Sequence, residues 1–443
     1  MGLSLAFAVL GALVASVLSL VPALHVYTVA GLVILATAHG CLLSELGEIM
    51  PPELVAMSFV GMTTGYAMLN AIPSIFMTAP DESTVFVVLP GQKYLLQRRG
   101  YEAAVLTGVG GLGGIAVLAM LTPVAGSLFP ALRAILQPHL HWILWTIIAY
   151  MLLSEWPKGC DRKPAGWHRW WDGWKSLTAG IVTFLLSGLL GFVLLYRSPV
   201  PVNTAYQNLL PAFVGLFAVP WILQNVLSQV ELPEQHLAKT IDATPWLLLR
   251  GTLAGALGGL FAAFFPVVTG GIGGFIAGHA TAQRDDRLFI ISQGASKVVY
   301  YVGGVLLFFV PGLHLTRGGM AWMLSSLWSC HTPQTYYTAA AAVVVSGVIS
   351  FFLLLLLARL AIELVGKVRY HWINMGTLAI LLSVVIGMTG WGGLLICAAA
   401  TGIGLIPILW GSRRVNCMGV LLLPVTLNMA GVGSTIAGWL DLI

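Results

Sequence analysis

Long apolar runs separated by short polar loops recur along the whole chain. Four of these runs contain no Asp, Glu, Lys or Arg, namely residues 1–44, 103–132, 318–358 and 370–412. A helix needs about 20 apolar residues to cross a bilayer, so the total apolar length predicts roughly ten to twelve transmembrane helices, some of them half-length. The pattern therefore predicts an all-α polytopic membrane protein that crosses the cell membrane many times.

Composition supports this class and excludes others. Hydrophobic residues make up 58% of the chain and charged residues 8%, whereas about a quarter of a typical globular chain is charged. The net charge of +5 is spread over several loops, as expected when cytoplasmic loops collect Lys and Arg, so it indicates no nucleic-acid partner. The five cysteines show no metal or disulfide spacing. Because HExxH and GxSxG motifs are missing as well, we expect no enzyme activity, no metal centre and no organic cofactor.

The first predicted helix runs from about Leu3 to Leu20 and ends next to Pro22. The apolar run continues beyond this proline, so Pro22 would lie between two half-helices inside the bilayer. His25 and Thr28 would then lie near a helix N-terminus, where unpaired N–H groups and the helix dipole favour an anion. We therefore expect Pro22, His25 and Thr28 to contact an anionic substrate. The alternative for His25 is a hydrogen-bonded interior histidine.

Residues 70–102 concentrate charge in a chain that has little of it. Three prolines, Pro73, Pro80 and Pro90, divide this stretch, so a helix that enters it must kink or stop. A broken helix with two adjacent carboxylates is typical of a membrane binding site. On a regular helix or strand the two carboxylates would point apart, which argues against a catalytic pair. We expect one wall of the substrate site at Asn70 and Ser74, and a coupling-ion site at Asp81, Glu82, Ser83 and Thr84.

The second half of the chain repeats a pattern of the first. The spacing that separates Gly11-Ala12-Leu13 from Gly255-Ala256-Leu257 also separates Pro22 from Pro266. Matching interrupted helices predict two pseudo-symmetric repeats of inverted topology, with broken or re-entrant helices. The predicted boundaries are an N-terminal repeat over 1–228, a connecting loop over 229–245 and a C-terminal repeat over 246–443. Coincidence among common small residues is the alternative explanation.

A glycine-rich loop, TGGIGG at 269–274, follows the second break. Glycines either bring backbone N–H groups close to a ligand or let two helices touch. On the next helix, Ser296 and Lys297 interrupt an apolar run. An ionisable residue within a span is functional by default, so Lys297 is a candidate cation for anion binding, with snorkelling to the interface as the alternative. The substrate-binding candidates of this region are Thr269, Gly270, Gly271, Gly273, Ser296 and Lys297.

Other segments are expected to serve structure. Gly108, Gly110 and Gly113 spell GxGxxG, but they lie in an apolar run without a preceding strand, so close helix packing explains them better than a dinucleotide site. The loop 158–175 combines tryptophans with basic residues and is expected at headgroup level on the cytoplasmic side. Residues 320–443 are expected to provide scaffold without chemistry, with a tight bend at 428–433.

Two segments resemble a known family. PSIFMTAPDESTVFVVLPGQKYLLQRRGYEA at 73–103 is similar to the signature segment of archaeal-type relatives of the TctA family, the large membrane subunit of tripartite tricarboxylate transporters. ALHVYTVA at 23–30 is similar to their N-terminal motif of a proline, a His or Asn, and a threonine. The resemblance implies a polytopic secondary transporter for small carboxylates that is driven by a cation gradient. It also implies a small membrane subunit and an extracytoplasmic solute-binding protein as partners.

Two transport functions are compatible with these observations. The first is a TctA-like permease that moves a small organic anion, a di- or tricarboxylate, together with Na⁺ or H⁺ as the coupling ion. In this case the anion lies between the breaks at Pro22 and Pro266. The alternative is a transporter or flippase of a lipid-linked phosphate such as polyprenyl phosphate, because an anionic headgroup suits the same helix N-termini. Membrane lipids surround the protein in either case.

Overall fold

A computed structural model describes residues 1–21, 24–38, 51–77, 79–157, 166–200, 208–228, 232–238, 240–328 and 332–443. Regular structure within these ranges is helical, and no strand occurs there. Nine helices of the described part are long and apolar enough to cross a membrane, or ten if a bent helix pair near the C-terminus counts as one span. The predicted all-α polytopic class is confirmed, and the nine or ten candidate spans of the described part compare with roughly ten to twelve predicted crossings.

The helices are numbered in chain order over the described ranges. The N-terminal part forms α1 (Gly2–Leu18), α2 (Val26–Ala38), α3 (Pro52–Leu69), α4 (Ala71–Phe76), α5 (Val88–Leu96), α6 (Gly100–Leu121) and α7 (Ala125–Leu136). The middle part forms a 3₁₀ turn (Gln137–His139), α8 (Leu140–Leu153), α9 (Trp167–Tyr196), α10 (Leu209–Phe213), a π-helix (Val214–Ala218) and α11 (Val219–Ser228). The C-terminal part forms α12 (Pro245–Phe264), α13 (Gly270–Ala280), α14 (Asp286–Phe309), α15 (Gly318–Leu327), α16 (Pro333–Lys367), α17 (Tyr370–Trp410), a 3₁₀ segment (Arg414–Met418), α18 (Gly419–Met429) and α19 (Gly433–Trp439).

The helices group into two compact units. Unit 1 comprises Met1–Arg133 and Gln229–Thr377, and unit 2 comprises Ala134–Ser228 and Leu378–Ile443. Each unit draws residues from both of the predicted repeats. The units group residues that pack together, whereas the predicted repeats are related by internal symmetry, so the units do not test the repeats. The predicted repeat boundaries and their inverted topology therefore stay a prediction.

Helix α14 is the most buried span of unit 1, and α6 and α12 pack closely against it. A Cβ placed at Gly110 of α6 would lie 2.1 Å from the carbonyl oxygen of Ile291, and one at Gly255 of α12 would lie 2.1 Å from that of Ser292. Backbones approach this closely only where glycine leaves out the side chain. Gly110 therefore serves helix packing, which confirms the structural interpretation of the GxGxxG pattern.

Three of the interruptions of helical structure in unit 1 lie at predicted breaks. The first separates α1 from α2 as predicted, although Pro22 itself lies outside the described residues. The second separates α12 from α13, which Thr269 caps. The third follows α4, where residues 79–81 have no regular structure and 82–87 form turns until α5 begins, so the helix stops ahead of Pro80 as predicted. Irregular backbone within a membrane protein is stable only where protein or water satisfies it, so these interruptions need polar partners.

Unit 2 ends in a bent helix pair. The segment Arg414–Met429 meets α19 at an angle of 115°, and Gly431 at the bend has a φ of 79°. This confirms the tight bend predicted at 428–433. At the start of α9, the rings of Trp167 and Trp170 stack at 4.9 Å and are both exposed, as expected of a segment at headgroup level. Residues 158–165 of the same loop lie outside the described part.

Candidate functional site

Asp81 is anchored by the turn that contains it. Its Oδ1 accepts hydrogen bonds from the backbone N–H of Ser83 at 3.0 Å and of Thr84 at 2.8 Å, and from the Thr84 hydroxyl at 2.8 Å. Ser74 of α4 donates to the same Thr84 hydroxyl oxygen at 2.8 Å. Short side-chain acceptors commonly stabilise turns in this way. Ser74 and Thr84 therefore hold the predicted ion-binding turn in position.

The other oxygen of Asp81 receives donors from two membrane helices. Its Oδ2 accepts from Asn70 Nδ2 at 2.8 Å, from the Tyr66 hydroxyl at 3.1 Å and from the Tyr301 hydroxyl at 3.2 Å. A carboxylate offers about four lone-pair sites. Because both oxygens of Asp81 are already surrounded by donors, this carboxylate has little capacity for a further ligand.

Glu82 is buried beside Asp81 but has a different environment. Its Oε1 accepts a hydrogen bond from the Tyr301 hydroxyl at 3.0 Å and lies 3.9 Å from His25 Nε2. The two adjacent carboxylates do not point apart as they would on a regular helix or strand, since both of them reach the hydroxyl of Tyr301. The reason is that residues 79–87 form no regular helix or strand, so the alternation of side-chain directions does not apply.

His25 precedes α2 and completes this cluster. The Tyr27 backbone N–H donates to His25 Nδ1 at 3.2 Å, so the neutral ring carries its proton on Nε2. That nitrogen faces the Tyr301 hydroxyl at 3.2 Å. Ligand atoms of His25, Asp81 and Glu82 lie within 4.8 Å of one another, and within the described ranges this is the cluster of His, Cys, Asp and Glu that is able to hold a cation. His25 is thus a hydrogen-bonded histidine, and it also belongs to the cluster that is able to hold a cation.

Lys297 lies on α14 with no exposed surface. Its Nζ donates to Asn70 Oδ1 at 2.5 Å, while Nδ2 of the same amide donates to Asp81. The ammonium group is therefore held inside unit 1 and does not snorkel to the interface. A single amide, that of Asn70, connects the predicted anion-binding cation with the predicted coupling-ion carboxylates.

The N-terminus of α13 packs against the carboxylate turn and against Lys297. The Thr269 hydroxyl donates to the Glu82 backbone oxygen at 3.3 Å and also accepts from the N–H of Ile272 at 3.4 Å, which caps the helix. A Cβ at Gly271 would lie 2.9 Å from that same Glu82 oxygen. A Cβ at Gly270 would lie 2.9 Å from the Cα of Lys297. The glycines of this loop therefore permit the helix end to approach the two charged regions.

The remaining candidate residues of the sequence analysis lie in different surroundings. Ser296 donates to the Gly270 carbonyl at 2.8 Å and so joins α14 to the start of α13. A Cβ at Gly273 would lie 2.1 Å from the carbonyl oxygen of Gly258, so Gly273 contacts α12 and serves packing. Ser83 is buried, and its hydroxyl has no hydrogen-bond partner among the described residues. Thr28 is buried in the first turn of α2.

Two tyrosines of the site were missed by sequence reasoning. Tyr301 contacts both carboxylates and His25, and Tyr66 contacts Asp81 while its ring lies 4.5 Å from that of His25. The helical spacing of the sequence could have indicated both tyrosines. Tyr301 follows Lys297 by one turn of α14, and Tyr66 precedes Asn70 by one turn of α3, so each shares a helix face with a residue already selected.

Comparison with known proteins gives a clear family match. The family model of the tripartite tricarboxylate transporter TctA family matches residues 5–419. An uncharacterized protein of Methanocaldococcus jannaschii is 26% identical over 267 residues. That match covers 56% of this chain and 60% of the relative's own length. No solved structure matches the chain.

Proposed function

Because the chain belongs to the tripartite tricarboxylate transporter TctA family, we propose that it is a secondary active transporter of a small organic anion. The substrate of this proposal is a di- or tricarboxylate, and Na⁺ or a proton is the coupling ion. The family is one of transporters and not of enzymes, which fits the expected lack of enzyme activity. The proposed location of this multi-pass protein is the plasma membrane.

One observation carries the proposal, namely the chain of contacts from Lys297 through Asn70 to Asp81. A buried ammonium attracts an anion, and this ammonium is held by a neutral amide and not by a carboxylate. A substrate carboxylate that takes the ammonium frees the amide oxygen of Asn70, whose NH₂ group is bonded to Asp81. Binding of the anion thereby changes the hydrogen bonds of Asn70, which contacts Asp81 in the ion-binding turn. Coupled transport requires such an interaction between the two sites.

The coupling ion is proposed to interact with Glu82 in preference to Asp81. Asp81 is surrounded by donors, whereas among the described residues Glu82 accepts from the Tyr301 hydroxyl and faces His25. The Tyr301 hydroxyl has one proton and can donate it to one carboxylate at a time. A cation at Glu82 therefore directs that proton towards Asp81, and Tyr301 connects the two carboxylates.

The start of α13 supports anion binding at the same place. The N-terminal N–H groups of a helix favour negative charge, and here they lie next to Lys297 because Gly270 adds no side chain. Pro22 is part of the proposal as well, although it lies outside the described residues. A small membrane subunit and an extracytoplasmic solute-binding protein are the proposed partners, by extension from the tripartite arrangement of the family.

The test is uptake into right-side-out vesicles from cells that produce the chain, with and without the two proposed partners. Radiolabelled di- and tricarboxylates are offered under an imposed Na⁺ gradient or an imposed pH gradient. We expect accumulation that collapses when the gradient is dissipated. Absence of gradient-dependent uptake across the whole panel contradicts the carboxylate proposal. Flipping of a lipid-linked phosphate in proteoliposomes, without carboxylate uptake, supports the alternative cargo in its place.

A further inference from the structure

Unit 2 contains a buried cation that the proposed transport site does not use. Arg414 is 7% exposed and begins the 3₁₀ segment between α17 and α18. Its Nη2 donates to the carbonyl oxygens of Leu216 at 3.1 Å and of Phe217 at 2.6 Å. Both carbonyls belong to the π-helix (Val214–Ala218), and short π-helical turns inside helices are frequent at functional sites.

These two bonds leave much of the guanidinium unused. Arginine carries five N–H donors on three nitrogens. The Nε and Nη1 atoms of Arg414 are both buried, and neither has an acceptor in the part of the chain that the structure describes. Buried polar groups in native proteins nearly always have partners, and unpaired buried donors of a charged group need an explanation.

No carboxylate of unit 2 supplies the missing acceptor within the described ranges. Glu155 is a buried carboxylate of unit 2, but its oxygens serve other groups. They accept from the Arg413 backbone N–H at 2.6 Å, from Asn416 Nδ2 at 3.2 Å and from the Ser176 hydroxyl at 2.7 Å. The positive charge of Arg414 thus has no bonded counter-charge among the described residues.

A second unpaired donor lies beside the guanidinium. The Arg414 Cζ atom lies 4.9 Å from the centroid of the Trp221 ring, a cation–π contact. The indole Nε1 of Trp221 is also buried without an acceptor in the described part. Helix α17 also comes close to the π-helix, because a Cβ at Gly404 would lie 2.6 Å from the Leu216 carbonyl oxygen. Among the described residues, three buried nitrogens with unused N–H groups thus lie in one region of unit 2, namely Arg414 Nε, Arg414 Nη1 and Trp221 Nε1.

We propose that Arg414 and Trp221 form a second anion site, which binds an oxyanion, either a carboxylate or a phosphate. An oxyanion is the ligand chemistry that supplies several acceptor oxygens and one negative charge to a guanidinium and an indole N–H. Arg414 also starts the bent helix pair of unit 2, and broken helices commonly border ligand sites in membrane transporters. This site shares no residue with the Lys297 site and does not depend on the proposed transport function.

The oxyanion has two sources, a soluble anion or the headgroup of an acidic lipid, and the experiment separates them. The purified full-length protein is placed in nanodiscs of phosphatidylcholine, with or without phosphatidylglycerol. Inorganic phosphate or citrate is titrated, and the thermal midpoint is recorded, since a ligand that binds the folded state raises it. A rise with a titrated anion in pure phosphatidylcholine identifies a soluble anion. A rise that needs only phosphatidylglycerol identifies a lipid headgroup.

The decisive variant is Trp221→Phe, which retains an aromatic ring next to Arg414 and removes the N–H donor. We expect its apparent affinity for the stabilising anion to fall by roughly fivefold or more, as the loss of one hydrogen bond to an anion predicts. Arg414→Met is expected to abolish the effect, but it also removes the two bonds to the π-helix and so affects folding. Lys297→Met is the matched control in unit 1 and is expected to leave this stabilisation in place.

Three results overturn the proposal. One is a wild-type protein that neither titrated anion nor phosphatidylglycerol stabilises. Another is a Trp221→Phe protein that binds with unchanged affinity. The third is a stabilisation that Lys297→Met alone removes, because it would then belong to the transport site. The transport proposal is tested separately, by uptake into vesicles.

Discussion

The two buried cations of this chain, Lys297 in unit 1 and Arg414 in unit 2, are held in different ways. Lys297 makes its hydrogen bond to a side-chain amide, Asn70, at the end of a flexible stem. Arg414 is tied to two backbone carbonyls of the π-helix (Val214–Ala218) by a planar, multi-donor group. A single bond between side chains is easily exchanged for a bond to a ligand, whereas two backbone bonds fix a structure. We infer that the ammonium of Lys297 can exchange Asn70 for the substrate during transport, whereas the guanidinium of Arg414 is held in a fixed position.

The same substitution at both positions should produce opposite results, and Lys297→Met should have the largest effect on transport. The substitution leaves one neutral acceptor, the Oδ1 of Asn70, without its donor, which should cost about 1–3 kcal/mol and still allow the variant to fold. Loss of a charge-assisted contact to the anion, about 1.5–3 kcal/mol, should lower gradient-driven carboxylate uptake by roughly 10- to 150-fold. Uptake in vesicles, normalised to the amount of folded protein, measures this. Wild-type uptake by the variant would remove Lys297 from the site.

Arg414→Met should act on stability first. The carbonyl oxygens of Leu216 and Phe217 lose their donor in a buried environment, which should cost about 3 kcal/mol. The thermal midpoint in detergent should fall, and the remaining folded protein should still transport. A stable variant without transport would reverse the comparison and place Arg414 in the transport site.

Glu82→Gln should change the ion dependence of uptake more than the choice of substrate. The variant retains a hydrogen-bond acceptor for Tyr301 but loses the charge that faces His25. Uptake should no longer respond to the imposed ion gradient, while the order of preference among carboxylates stays the same. Asp81→Asn is the comparison variant. It should lower stability as well, because an NH₂ group would face the donors that Asp81 now accepts from. A changed substrate preference in Glu82→Gln would mean that the two sites are exchanged.

Tyr301→Phe should weaken coupling to a smaller degree. The hydroxyl donates its one proton to Asp81 or to Glu82, a bond worth about 1 kcal/mol, so the ion concentration for half-maximal uptake should rise by roughly fivefold. Tyr300→Phe is the matched control on the neighbouring residue of α14. Equal effects of the two variants would indicate that Tyr301 serves packing alone.

The smallest effect is expected for Lys93→Gln, which removes an exposed ion pair with Asp286. Both side chains are substantially exposed, and surface pairs contribute about 0–1 kcal/mol. Uptake and thermal midpoint should therefore remain close to wild type. A loss of uptake similar to that of Lys297→Met would show that the effect of removing a cation on transport does not depend on its burial.

Local rules predicted much of the organisation. The uncharged runs predicted an all-helical membrane protein, and the prolines and glycines predicted the interruptions next to α2, α5 and α13. Lys297, Asp81 and Glu82 were selected because charge is rare and costly within an apolar chain. Residues 320–443 are expected to carry no chemistry, although Arg413 and Arg414 interrupt the apolar pattern there. The buried Arg414, on which the second anion site is proposed, lies in this segment.

By itself, the sequence determined the class, the breaks and the charged candidates, because hydropathy, proline and glycine act over a few residues. Only the tertiary structure decided which candidates meet. Asn70 bridges Lys297 to Asp81 across a long stretch of chain, and the turn at 79–87 brings two adjacent carboxylates to one tyrosine hydroxyl. Only the structure shows that Nε and Nη1 of Arg414 are buried without an acceptor among the described residues. Contacts of this kind depend on packing between distant segments, which no local pattern of residues records.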